Sequence, residues 1–123
     1  MTAKILLIED DVTISEATCI FLEVGGYEIE PAFSCKDAIE KITKTQYDLV
    51  ITDMFLPDGD CFSILPHLEN VAGKTKTILV SGGGNRINAK DVINMSGPIF
   101  DACLMKPVKA VELKKTIDDV LAA

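Results

Sequence analysis

The sequence predicts an α/β domain built on a parallel sheet with helices on both faces. Three observations carry that expectation. Short apolar, β-branched runs alternate five times with segments of helical period. The runs Lys4–Ile8, Asp48–Asp53 and Thr77–Ser81 are nearly continuous in apolar character, as strands buried on both faces are. Four of the five strands end on polar or turn-forming residues, among them Glu9-Asp10-Asp11 after the first and Lys106-Pro107 after the last.

Lys4-Ile5-Leu6-Leu7-Ile8 reads as the first strand. From Val12 the period changes. Ala17, Ile20, Phe21 and Val24 recur at helical spacing, and Gly25-Gly26 ends the helix because glycine accepts the left-handed cap at little cost. Tyr27 to Ala32 is a weaker strand, and its Pro31 suits an edge position. Ser34 opens an S-x-x-D start with Asp37, and Ala38, Ile39 and Ile42 form the apolar side of a second helix.

The central strand runs from about Asp48 to Asp53. After the turn residues Pro57-Asp58-Gly59-Asp60, a third helix is expected from Phe62, Ile64, Leu65 and Leu68, with Pro66 kinking it or shifting its start. Asp58-Gly59-Asp60 reads as a turn and helix cap, and the single histidine, His67, as a surface or kink-side residue. Thr77–Ser81 is the fourth strand, ended by Gly82-Gly83-Gly84. No Lys-Ser/Thr follows at P-loop spacing, so this is a strand-to-helix loop. Asn88–Met95 is a short fourth helix, Ile99–Met105 holds the fifth strand, and Leu113, Ile117, Val120 and Leu121 mark a last helix from about Lys109.

The chain has 123 residues, 48% of them apolar, which suits one compact domain. Its net charge of −7 argues against a dedicated nucleic-acid or anionic-membrane surface, which needs a basic patch. Cys19, Cys35, Cys61 and Cys103 form no C-x-x-C pair and are expected to be reduced core thiols. Neither a signal peptide nor an apolar run of membrane-spanning length is visible, so a soluble, cytoplasmic protein is expected.

In a sheet of order 2-1-3-4-5, the C-terminal ends of strands one and three flank the ligand crevice. Here they carry Glu9, Asp10, Asp11 and Asp53. Converging carboxylates stay ionised only with a cation nearby, and oxygen-only ligands suit Mg²⁺. The ends of strands four and five carry Ser81 and Lys106. A hydroxyl and an ammonium beside carboxylates and a metal are what a phosphoryl group requires. In that company a carboxylate such as Asp53 can act as nucleophile and become an aspartyl phosphate. Asp11 falls just after the acidic pair, and capping the first helix accounts for it.

These residues, in this order and each at a strand end, resemble the response-regulator receiver domain of two-component signalling over essentially the whole chain. The carrying motifs are Ile8-Glu9-Asp10-Asp11, the stretch from Asp53 to Asp60, Ser81, and Lys106-Pro107. The resemblance implies a flavodoxin-like, doubly wound (βα)5 fold with a five-stranded parallel sheet. It also implies a phosphoryl-accepting switch, with Asp53 taking its phosphoryl group from a phospho-histidine on a sensor histidine kinase or phosphotransfer protein. Glu9 and Asp10 would be the metal-binding pair, Asp10 the direct ligand, with Asp53 and the Met54 backbone carbonyl completing the protein's ligands to Mg²⁺. Ser81 would bond a phosphoryl oxygen, Lys106 would pair with it, and the Lys106–Pro107 bond would be cis.

On this reading the domain spans residues 1–123, either standing alone or excised from a longer protein. It is not an enzyme beyond self-phosphorylation from small donors and autodephosphorylation. Its partners are the phosphoryl donor and an unknown downstream protein, with no nucleic acid or membrane contacted.

Three departures from the family pattern stand out. Cys103 occupies the position, three before the lysine, where an aromatic switch residue is usual; Phe100 lies three further back. The Ser81–Lys106 segment is a few residues longer than expected, in the region that commonly forms the output face. Cys61 replaces a frequent glycine. These departures motivate one alternative, a phosphorylation-independent interaction module on the same fold. A flavin-binding protein of this topology is disfavoured by the carboxylates crowding the crevice.

Overall fold

A computed structural model of the chain describes residues 2–69, 75–81 and 100–123. In order these form β1 (Lys4–Ile8), α1 (Val12–Val24), β2 (Glu28–Ala32), α2 (Cys35–Lys44) and β3 (Leu49–Asp53). A two-residue hairpin, β4 (Phe55–Leu56) and β5 (Gly59–Asp60), follows. A 3₁₀ turn at Cys61–Ser63, α3 (Leu65–Glu69), β6 (Lys76–Ser81), β7 (Ala102–Met105) and α4 (Ala110–Ala122) complete the described chain. The expected fourth helix and the triple glycine lie outside the described residues.

The main sheet runs β2-β1-β3-β6-β7, parallel at every pairing. This is the expected 2-1-3-4-5 order once the hairpin strands are set aside. Successive side chains of a strand point to opposite faces, so β1 and β3 each feed two layers. Leu6, Ile8 and Val50 pack with α2 and α3, in a cluster holding Ala38, Ile42 and Ile64. Ile5, Leu7, Leu49 and Ile51 pack on the other side with α1 and α4, against Leu22, Leu113 and Ile117. All five residues of β3 are buried, which is why that run carries no alternating polar residues. Pro31 sits in β2, an edge strand paired only with β1, as its missing donor demands.

The helix ends follow the sequence closely. Asp11 caps α1, its carboxylate accepting from the Ile14 N–H at 3.1 Å. Gly26 takes φ +98° past the end of α1, a conformation that side chains other than glycine's rarely adopt. Ser34 caps α2 from the Asp37 N–H, and Asp37 returns the bond by accepting from the Phe33 N–H. Pro66 shifts the start of α3: it is the second residue of a helix that follows a 3₁₀ turn.

The buried face of α1 is not the one expected. Ser15, Cys19 and Leu22 face the core, whereas Ile20 and Val24 are 58% and 85% exposed and Ala17 is exposed. Both stripes have helical spacing, and apolar residues surround most of this helix. The packing partners, not the periodicity, select the face. Strand β7 begins at Ala102, later than expected. Asp101 lies ahead of it and turns its carboxylate onto the Thr77 N–H at 2.8 Å. Of the four expected core thiols, Cys19 and Cys35 are buried and Cys103 is only half-buried; the Cys61 side chain lies outside the description. Among the described residues, no helix is long and apolar enough to cross a membrane.

Candidate functional site

The parallel sheet brings the C-terminal ends of β1, β3, β6 and β7 to one edge, with Glu9, Asp53, Ser81 and Lys106 at or just beyond them. Glu9 follows β1 directly. Asp53 is the last residue of β3 and stands opposite Val80, one residue before Ser81. Ser81 pairs with Met105, and the Lys106 N–H donates to the Ser81 carbonyl at 2.8 Å. Glu9, Asp53 and Ser81 are all buried. Their polar character in an apolar core is the mark of a built site.

Lys106 Nζ lies 2.7 Å from Asp53 Oδ1 and 3.3 Å from Glu9 Oε1. The other oxygen of Glu9 accepts from the Asp11 N–H at 3.1 Å. Carboxylate oxygens of Glu9, Asp10 and Asp53 lie within 4.8 Å of one another, with Asp10 exposed at the rim. One ammonium therefore serves two buried carboxylates. Burial pushes the Asp53 carboxyl up to about 7, and the neighbouring Glu9 adds to the rise, against the opposing pull of Lys106. Burial also raises Glu9, but bonds with Asp53 and the Asp11 N–H, and the charge of Lys106, hold it below its ordinary value. Burial works against the Lys106 ammonium, yet Asp53 and Glu9 outweigh it and raise its pKa. The two carboxylates behave as a pair.

A cleft of about 560 Å³ opens beside Asp53 and Lys106 between α1 and α4. Its walls include Ile14, Phe21, Val80 and Leu113. Apolar walls limit solvation of the carboxylates. Thr52 donates its hydroxyl to the Asp53 carbonyl at 2.9 Å, and the Met54 N–H donates to the Val80 carbonyl at 3.2 Å. The Lys106–Pro107 bond is cis. Carboxylate oxygens from three residues, two of them buried and sharing one ammonium, are the donor set of a small hard divalent cation.

A model of the response regulator receiver domain matches residues 5–118. The chain belongs to this family. It is 29% identical over 118 residues to the transcriptional regulatory protein CrdR of Helicobacter pylori, a match spanning 95% of this chain and 54% of CrdR. It superposes on a receiver domain from Clostridium thermocellum with a TM-score of 0.84 and 29% identity, covering 98% of this chain and 94% of the other. The response regulator TrrA of Thermotoga maritima, solved in complex with Mg²⁺-BeF, gives a TM-score of 0.80 at 25% identity, covering 98% of this chain and 99% of TrrA. The chain spans about half the length of the curated relatives it matches. It has the flavodoxin-like receiver fold, and receivers of two-component systems are phosphorylation switches.

Within this receiver, Cys103 packs half-buried against a cluster of Met54, Leu79 and Phe100. Phe100 is buried, and its ring lies 6.5 Å from that of Phe62, tilted by 60°. An aromatic pair thus packs against Met54, next to Asp53, while the position of the usual switch residue holds a thiol. His67 is half-buried in α3. The stretch Asp58-Gly59-Asp60 keeps its expected turn, and Asp60 does the local capping, accepting from the Phe62 N–H at 3.0 Å. The Asp58 carboxylate in addition reaches back to the start of α2, accepting from the Cys35 and Lys36 N–H groups. Nothing in the local sequence points 22 residues upstream.

Proposed function

We propose that this receiver takes a phosphoryl group onto Asp53 from the phospho-histidine of a sensor histidine kinase or phosphotransfer protein. The reading rests above all on the position of Lys106, whose ammonium is 2.7 Å from Asp53 Oδ1 amid a cluster of three carboxylates. A carboxylate oxygen of Asp53 attacks phosphorus, the P–N bond to the donor imidazole breaks, and the imidazole leaves with the electron pair and is protonated. Lys106 turns from Asp53 toward the incoming phosphoryl oxygens, and Ser81 donates its hydroxyl to one of them.

Asp10 would bind Mg²⁺ directly, with Glu9 beside it and Asp53 and the Met54 carbonyl as further ligands. When bound, the cation offsets the charge on the carboxylates and on the phosphoryl oxygens. TrrA, solved with Mg²⁺-BeF, supports the same donor chemistry for this chain. Self-phosphorylation from small donors and autodephosphorylation are the limits of the chain's own catalysis. Residues 1–123 act as one receiver domain in the cytoplasm. They pass the signal to a downstream protein through a rebiased protein-binding face, with neither nucleic acid nor membrane touched by this domain.

Incubation with Mg²⁺ and acetyl phosphate, or with a histidine kinase, followed by intact-mass measurement tests the reading. A phosphoryl mass increment that is absent in Asp53→Asn is expected. Absence of any increment from every donor overturns it and favours the interaction-module alternative that Cys103 motivates.

A further inference from the structure

We propose that Asp58 is a positioning residue for the phosphoryl-accepting site, clasping the loop that follows Asp53 onto the N-terminus of α2. The inference rests on the function proposed above. Asp58 Oδ1 accepts from the Cys35 N–H at 2.7 Å, and Oδ2 accepts from the Lys36 N–H at 3.0 Å. Ser34 takes the Asp37 N–H at 3.1 Å. A helix begins with N–H groups that lack intrahelical partners. In α2 the first two of these are satisfied from the phosphoacceptor loop, not from the helix's own flank.

Other contacts reinforce the clasp. The Cys35 thiol donates to the Asp60 carbonyl at 3.6 Å. The loop lies so close to α2 that a Cβ at Gly59 would stand 3.2 Å from Cys35 Sγ. Leu56 is buried in the cluster that holds Cys35, Ala38 and Ile64.

The near end of the same loop is pinned to β6 by the bond from the Met54 N–H to the Val80 carbonyl. Met54 and Phe55 are therefore strung between two anchors, one on the sheet and one on α2. The Met54 carbonyl, a proposed metal ligand, sits in that span. An anchored span holds its carbonyl in place before the cation arrives. A loosened span must be ordered as the cation binds, which weakens binding. The Asp58 carboxyl is held below its ordinary value by the Cys35 and Lys36 N–H bonds, so the clasp is ionised at neutral pH.

The test compares three variants of the full chain by Mg²⁺ titration, read from backbone amide shifts, and by phosphoryl uptake from acetyl phosphate. Asp58→Ala weakens Mg²⁺ binding about fivefold and slows uptake, less than the about 10- to 100-fold typical when a group touching a ligand is lost. Asp58→Asn, which retains one acceptor oxygen, falls between Asp58→Ala and wild type. Ser34→Ala removes a different cap from α2 and lowers its stability, but leaves Mg²⁺ affinity unchanged because it does not touch the loop. Unchanged affinity in Asp58→Ala, or equal losses in Asp58→Ala and Ser34→Ala, overturns the proposal. If wild type takes up no phosphoryl group, the underlying function fails first. If wild type is phosphorylated, any failure belongs to Asp58 alone.

Discussion

The Lys106 ammonium stands 2.7 Å from Asp53 Oδ1, joining the end of the third main strand to the segment after the fifth. This ion pair is held by the sheet register, since the Lys106 N–H is itself bonded to the Ser81 carbonyl. Replacing the lysine leaves two buried carboxylates without their shared cation. In Lys106→Ala, phosphoryl uptake from acetyl phosphate falls by about a hundredfold, the scale of losing one donor to a developing anionic transition state. Initial rates from intact-mass time courses measure this. A rate within twofold of wild type would remove Lys106 from the reaction.

Stability should depend on pH through Asp53. Its carboxyl is raised to about 7 in the folded, metal-free protein, above its unfolded value near 3.8. The folded state therefore holds a proton that the unfolded state has lost between those values, and stability falls as pH rises through the window. Asp53→Asn has no such charge. In EDTA its melting temperature exceeds that of wild type at pH 7.5, and the gap narrows toward pH 5. Glu9, shifted downward, titrates below its unfolded value of 4.5 and so contributes almost equally across this range. Added Mg²⁺ closes the gap from the wild-type side. Melting curves of both proteins across this range provide the check, and a gap that widens on acidification would contradict it.

The orientation of α1 is open to a direct comparison. Leu22 is fully buried, whereas Ile20 is 58% exposed. Leu22→Ala should destabilise the domain by about 2–5 kcal/mol, the range for truncating a large core residue. Ile20→Ala should stay within about 0.5 kcal/mol, as surface substitutions do. Urea denaturation of the two variants decides between the observed face and the one that periodicity suggested.

Thiol labelling reports on the same packing. Burial, with Asp58 nearby, pushes the Cys35 thiol up to about 11, and burial raises Cys19 as well. The thiolate is the reactive form. Iodoacetamide at pH 7.5 should leave both unmodified in the folded protein and label both in denaturant. Peptide mapping by mass spectrometry gives the answer site by site.

The site itself was legible because its members sit at strand ends. Glu9, Asp10, Asp53, Ser81 and Lys106 each follow an apolar run, and a parallel sheet sends every such end to the same edge. What remained hidden were relations that cross elements. The turn formers Pro57-Asp58-Gly59 announce a turn, but not that Asp58 reaches α2. The helical spacing in α1 announces a helix, but not its buried face, because the stripe Ser15–Cys19–Leu22 has the same period as the apolar one beside it.

Local chemistry marks the five main strands, the caps on α1 and α2, and the polar groups at the ends of apolar runs, whereas the strand order follows only from the resemblance to receiver domains. Packing alone sets which face of α1 is buried, that Glu9 shares Lys106 with Asp53, and that α2 is capped from the loop after Asp53. Each depends on distances between residues far apart in the chain, and those are set by how helices settle on the sheet, which no local pattern encodes.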